Sequence, residues 1–234
     1  KGVENETLLL MTEVLEDVLG HRERLAGLSG PNHAEEVGRG VPSATVVAAH
    51  DESVGRLFQD LFMTRFFRVY TNPDVTGVEL AGASKNVIAV AAGMSDGVGY
   101  GDNTKATLMT RGLAEMSRLG HAKGANPLTY MGLAGVGDLI ATCTSRNSRN
   151  RALGEFVGKG GTLEGWRAQT QMVAEGAFAC VAVEELGKRH GVELPITRQV
   201  RAVLYEGVPL SAGEDALLGR QATDELHGMG LVED

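Results

Sequence analysis

The sequence predicts an α/β segment built on a small parallel sheet, followed by an all-α segment, with the join near Asn72. Three observations predict it. A β-branched run from Ser43 to Ala49, a helical pattern after Asp51 and a second short run from Phe66 to Tyr70 form a strand–helix–strand unit, the building block of parallel sheets. Asn72-Pro73-Asp74 is a helix-start signal with proline just inside, and no strand pattern recurs after it. Six stretches of helical period then fill the remainder.

In chain order, Leu8, Met11, Leu15 and Val18 recur at helical spacing, predicting a helix over Glu6–Leu19 that Gly20 stops. A short strand ends at Leu28. Ser43–Ala49 reads as a buried strand, and Asp51 caps a helix whose apolar face is Val54, Leu57, Phe58, Leu61 and Phe62. The later helices are expected over 74–93, 104–119, 127–143, 170–189, 195–205 and 212–219. Gly120 is expected to cap the second of these, and Ser211 with Glu214 to form a capping box opening the last. Residues 1–72 and 73–234 are thus read as two domains.

Composition narrows the function. The 234 residues are 43% hydrophobic and 22% charged, which suits a globular chain with a sizeable core. The 22 basic against 30 acidic side chains give a net charge of −8, and an acidic surface argues against nucleic acid as a partner. The longest apolar run, Val87 to Met94, is far short of a membrane span. Two cysteines make no disulfide framework and no leader pattern precedes the first helix, so the expected setting is cytoplasmic.

Lys85 is the most informative residue. One face of its helix carries Val78, Ala81, Gly82, Lys85, Ala89 and Ala92, small side chains that let another backbone close over the ammonium and lower its pKa towards that of a general base. The competing reading is a surface lysine with its stem on the helix. Ser145 to Arg151 interleaves three arginines with amides and hydroxyls, which suits an oxyanion clamp or, equally, a solvated turn. Ser29-Gly30-Pro31-Asn32 and the following His33-Ala34-Glu35-Glu36 form a strand-to-helix turn whose amides face an anion, or a plain turn capped by Asn32. Asp138 either orients a lysine or a substrate hydroxyl, or caps the helix it begins. Cys143 reads as a buried inert thiol, and no metal site is predicted, because His33 has no second histidine at ligand spacing. Gly97-Val98-Gly99-Tyr100-Gly101-Asp102 follows a helix and is a connecting turn, not a dinucleotide fingerprint.

Together these segments resemble the bacterial type of NAD(P)-dependent sn-glycerol-3-phosphate dehydrogenase. The similar stretches are Lys1-Gly2-Val3-Glu4, Leu28-Ser29-Gly30-Pro31, Gly77 to Gly93 around Lys85-Asn86, Thr110 to Met116, Gly132 to Ser145, and Ser148-Arg149-Asn150-Arg151. The resemblance implies a Rossmann-type parallel sheet, of which only the trailing part is here, and a helical domain like the carboxy-terminal domain of 6-phosphogluconate dehydrogenase. It implies reversible hydride transfer between glycerol 3-phosphate and NADH or NADPH, giving dihydroxyacetone phosphate as a precursor for glycerophospholipids, and it leaves a homodimer open. Lys85 matches the proton-transferring lysine. Lys1, Gly30, Asn32, Asp138, Ser148, Arg149 and Asn150 match substrate-contacting positions, and Ala34, Arg149, Val173 and Glu175 match positions lining the cofactor. Thr142 and Asn86 lie near the site in related enzymes.

Asn32 stands where that family usually has serine or threonine. A Gly-x-Gly-x-x-Gly after an opening strand does not occur, so about a hundred residues of a normal dinucleotide domain are expected to precede Lys1, and residues 1–234 alone are expected to bind nicotinamide cofactor weakly or not at all. Two other readings compete: a related two-domain dehydrogenase for another hydroxy acid, and a non-catalytic helical oligomerisation module.

Overall fold

The computed structural model describes residues 1–222, 224–227 and 229; the rest of the expected helical segment's end lies outside the described residues. After an isolated bridge between Val3 and Leu10 come α1 (Met11–Leu19), β1 (Ala26–Ser29), the single turn α2 (Ala34–Val37), β2 (Ser43–Ala49), α3 (Glu52–Phe62) and β3 (Phe67–Asn72). The strand order is β1-β2-β3, with β2 and β3 parallel in register Ser43↔Phe67 to Ala48↔Asn72. The parallel unit expected from the sequence is present. β1, however, runs antiparallel to β2, pairing Ala26 with Ala49 and Ser29 with Val46, so the sheet is mixed.

The first helix begins five residues later than its periodicity suggests. The Glu4 carboxylate accepts the backbone N–H of Glu6 and Thr7, folding this stretch into a turn, and the Glu13 carboxylate accepts the N–H of Leu10 at the true helix start. Asp51 caps α3 as expected, its side chain accepting from Ser53 N–H. The face read as apolar is largely uncovered, with Gly55 the buried residue of the helix.

The helices that follow are α4 (Val75–Val98), α5 (Asp102–Ala122), α6 (Asp138–Thr144), α7 (Arg149–Gly158), α8 (Leu163–Gln169), α9 (Glu175–Arg189), α10 (Pro195–Tyr205) and α11 (Leu210–Leu218). α4 is the axis of the molecule, buried at every residue from Gly77 to Ser95. Asp74 caps it by accepting from Gly77 N–H, and its second oxygen accepts from Asn126 N–H and Thr129 Oγ1, so Pro73 precedes the cap instead of lying inside the helix. α7 approaches α4 along a glycine seam. A Cβ at Gly93 would strike the Arg151 carbonyl, one at Gly97 the Glu155 carbonyl, one at Gly154 the Val90 carbonyl and one at Gly158 the Met94 carbonyl.

Several boundaries depart from expectation, among them the end of α4, which runs on to Val98 instead of ending at 93. Gly120 does not end α5, which continues to Ala122; it is glycine because the Tyr130 ring occupies the space of a side chain. The single helix expected over 127–143 is broken into a tight turn at Pro127–Met131, a wide kinked turn at Leu133–Gly137 and α6, because Gly135 packs on the Tyr130 carbonyl in a non-helical conformation. α9 starts at Glu175, not 170. Ser211 lies inside α11, which Pro209 precedes as N-cap, so the capping box does not form there. α10 matches its expected span.

Candidate active site

Four segments converge near the middle of α4. Lys85 is 5% exposed. Its Nζ lies 2.8 Å from Asp138 Oδ1 and donates to Thr142 Oγ1 at 2.7 Å, while Thr142 Oγ1 donates to Asp138 Oδ1 at 3.1 Å. The surface-lysine reading is thereby excluded. Burial pushes the Lys85 pKa down, the Asp138 carboxylate opposes that shift, and the Lys1 ammonium adds to it. Arg149, by contrast, sits half exposed and 3.1 Å from Glu175.

Asp138 is the hinge of this cluster. It occupies the first turn of α6 after an N-cap at Gly137, so it does not cap the helix; its two oxygens hold two lysines instead. Oδ2 accepts from Lys1 Nζ at 2.7 Å, and the same ammonium donates to Gly30 O at 3.1 Å and lies 3.5 Å from Asn32 Oδ1. One carboxylate shared by two ammoniums leaves a net positive charge, which favours an anionic substrate. Gly30 has φ +148, and a Cβ there would stand 2.9 Å from Thr45 Cα, so the turn that presents its carbonyl to Lys1 needs glycine. Asn32 does not cap α2: its amide donates to Thr45 Oγ1 at 2.9 Å and His33 takes the cap position. Gly82, one turn before Lys85, leaves room for Ser29 Oγ and the Lys1 stem, which a Cβ would meet at 2.8 and 3.2 Å.

A second polar group adjoins the first through Asn86. Asn150 Nδ2 donates to Asn86 Oδ1 at 3.0 Å, and Asn150 Oδ1 accepts from Gly176 N–H at 2.8 Å. This links α4, the start of α7 and the start of α9. Ser148 caps α7, accepting from Arg151 N–H at 3.2 Å. Ala34 and Val173 are exposed and no described hydrogen bond ties them to Lys85. Cys143 lies beneath Lys85, fully buried, its thiol pushed up to about 12 by desolvation, as an inert thiol should be.

Residues 1–55 match the family model described as NAD-dependent glycerol-3-phosphate dehydrogenase N-terminus, and residues 74–213 match the C-terminus model of the same family. The chain belongs to the NAD-dependent glycerol-3-phosphate dehydrogenase family. Its relatives include the glycerol-3-phosphate dehydrogenase (NAD(P)+) of Pelotomaculum thermopropionicum, 51% identical over 99% of this chain and 67% of the relative, and that of Moorella thermoacetica, 52% identical over 97% and 67%. The chain thus spans about two thirds of their length. Among solved structures, the glycerol-3-phosphate dehydrogenase of Coxiella burnetii superposes with a TM-score of 0.89 at 37% identity, covering 94% of this chain and 67% of that one. The Plasmodium falciparum enzyme, at 21% identity and a TM-score of 0.85, shares the fold.

Membership of this family does not favour the hydroxy-acid dehydrogenase or the oligomerisation module as alternatives. No described helix is long and apolar enough to cross a membrane. Asn86 and Thr142 enter the sequence reading through the resemblance alone and not through a pattern of residues. The Asn86–Asn150–Gly176 chain joins residues far apart in sequence and carries no local signal. Thr142 had one, since it lies a helical turn after Asp138 and so faces the same lysine.

Proposed function

We propose that this chain carries the catalytic half of a glycerol-3-phosphate dehydrogenase that interconverts sn-glycerol 3-phosphate and dihydroxyacetone phosphate. The observation that supports this best is the enclosure of Lys85, a buried ammonium on a helix buried along most of its length, with its pKa pushed down and its head fixed by Asp138 and Thr142. Lys85 in its neutral form takes the proton of the substrate C2 hydroxyl as the C2 hydride leaves, and returns it when the ketone is reduced. NAD(P)+, when bound, would supply the hydride acceptor. Asp138 keeps Lys85 and Lys1 at fixed positions, so the base and a cationic contact to the substrate arrive together.

Lys1 and Arg149 supply charge for the phosphate dianion, with Gly30, Asn32, Ser148 and Asn150 as further substrate contacts. Asn150 does this with the N–H that Asn86 leaves unused. Ala34, Val173, Glu175 and Arg149 would line the cofactor. Ser29 Oγ and His33 Nε2, buried atoms on the same turn with no partner among the described residues, fit a ligand lying against it. The division between the cofactor-side and catalytic domains falls between residues 72 and 73.

The test is reduction of dihydroxyacetone phosphate by the full-length enzyme, followed by NAD(P)H absorbance. Lys85→Met is expected to lower kcat by about 10²–10⁴-fold, the contribution of a general acid–base, with a smaller change in KM. Near-normal turnover in that variant would remove Lys85 from the mechanism. A panel of unphosphorylated hydroxy acids is expected to give no turnover.

A further inference from the structure

A deep concavity lies away from Lys85. A cavity of about 1010 Å³ lies between α5 on one side and α10 with α11 on the other, and Lys85 does not line it. It is elongated: α5 contributes a single stripe running from Thr104 to Arg118, about 21 Å of helix. Leu108, Val200, Val203 and Leu217 make its middle apolar.

Two polar groups in this groove lack partners among the described residues. Arg118, near the end of α5, is half-buried, and its guanidinium makes no hydrogen bond or ion pair among the described residues. The neighbouring cations are already engaged: Arg111 donates to the Glu225 carbonyl at 2.9 Å, and Arg220 lies 2.8 Å from Glu193. The nearby Glu115 carboxyl is taken by the N–H groups of Ile196 and Thr197 at the start of α10. Towards the opposite end, Ser95 is 5% exposed and its Oγ has no partner among the described residues. There, Tyr100 Oη donates to Glu214 at 3.0 Å. A half-desolvated guanidinium without an acceptor is costly, and an apolar cleft with a few unsatisfied polar groups is the usual form of a small-molecule site.

We propose that this groove binds an amphipathic anion, an unbranched alkyl chain with one carboxylate or phosphate head, the head on Arg118 and the chain over Leu108, Val200, Val203 and Leu217. The occupant is a small molecule and not a second copy of the chain, because the feature is a concave slot with an unpaired cation near one end.

The experiment is calorimetric titration of the full chain with decanoate, decyl phosphate, decanol and inorganic phosphate, the amphiphiles below micelle formation. Both decyl anions are expected to bind, with decanol and inorganic phosphate weaker by about tenfold or more, since neither offers both chain and charge. The tighter of the two decyl anions identifies the head. Arg118→Gln is expected to weaken both anions about tenfold or more. Val203→Trp, which fills the apolar stretch, is expected to abolish binding even if Arg118→Gln proves too unstable to titrate. Equal binding of decanol and decanoate, or full-strength binding to Val203→Trp, would overturn the proposal. So would sedimentation showing a dimer that Val203→Trp dissociates, with no anion bound.

Discussion

Helices α3 and α4 both follow an aspartate cap and both bear apolar residues, yet their surroundings are opposites. α4 is enclosed on all sides, so its polar residues Lys85 and Asn86 are enclosed with it. α3 shows Leu57 at 63% and Leu61 at 67% exposure. The difference lies in what small residues permit. On α4, alanine and glycine on every face let the backbones of α7 and α9 press against the helix, and burial follows from backbone approach; on α3 the bulk is apolar, but the described residues leave Leu57 and Leu61 uncovered. Enclosure of the candidate base is therefore a property of its neighbours' size more than of their hydrophobicity.

The contrast can be broken most severely at the seam. Gly154→Ala would drive a methyl into the Val90 carbonyl, and separating α4 from α7 is expected to cost about 3 kcal/mol or more. It should also raise KM, because α7 begins with Ser148, Arg149 and Asn150. Denaturant unfolding and steady-state kinetics check the two effects. A Gly154→Ala protein as stable as the parent would show that the helices can part without penalty.

A second test concerns a carboxyl hidden in the same half. Glu115 is fully buried and desolvation raises its pKa from 4.5 to about 7. Folded protein therefore keeps a proton that unfolded chain loses, so this group's contribution to stability is present below pH 4.5 and is lost as pH rises to about 7. The loss is expected to be about 3 kcal/mol across that window. Comparing unfolding free energies of the parent and Glu115→Gln between pH 4.5 and 7 measures it, and the variant should lack this slope.

The smallest effect is expected on α3. Leu57→Lys and Leu61→Lys should each change stability by no more than about 0.5 kcal/mol, as exposed positions do. A loss of several times that amount would mean that the face is covered in solution.

How much could be read from the chain depended on whether a signal was local. β2, β3 and α10 announced themselves by periodicity, and Lys85 by the small residues one turn away. α7 and α8 were missed: Arg149–Gly158 is rich in charge and glycine, and it is a helix because its glycines fit the face of α4, a tertiary reason with no trace in the window itself. The antiparallel course of β1 and the interruption at Leu133–Gly137 depend likewise on partners distant in sequence. The same holds for the site, where Asp138 gave two local readings and only its position between Lys1 and Lys85 separates them.

The seam between Gly93, Gly97, Gly154 and Gly158 also predicts where variation is forbidden. In a saturation library selected for folding alone, with no demand for turnover, these four columns should be among the emptiest, since no rotamer change relieves a collision with a carbonyl. Lys85 should tolerate methionine under that selection. Selecting again for turnover would then empty column 85 while leaving the four glycines unchanged, which separates the residues that build the enclosure from the one that uses it.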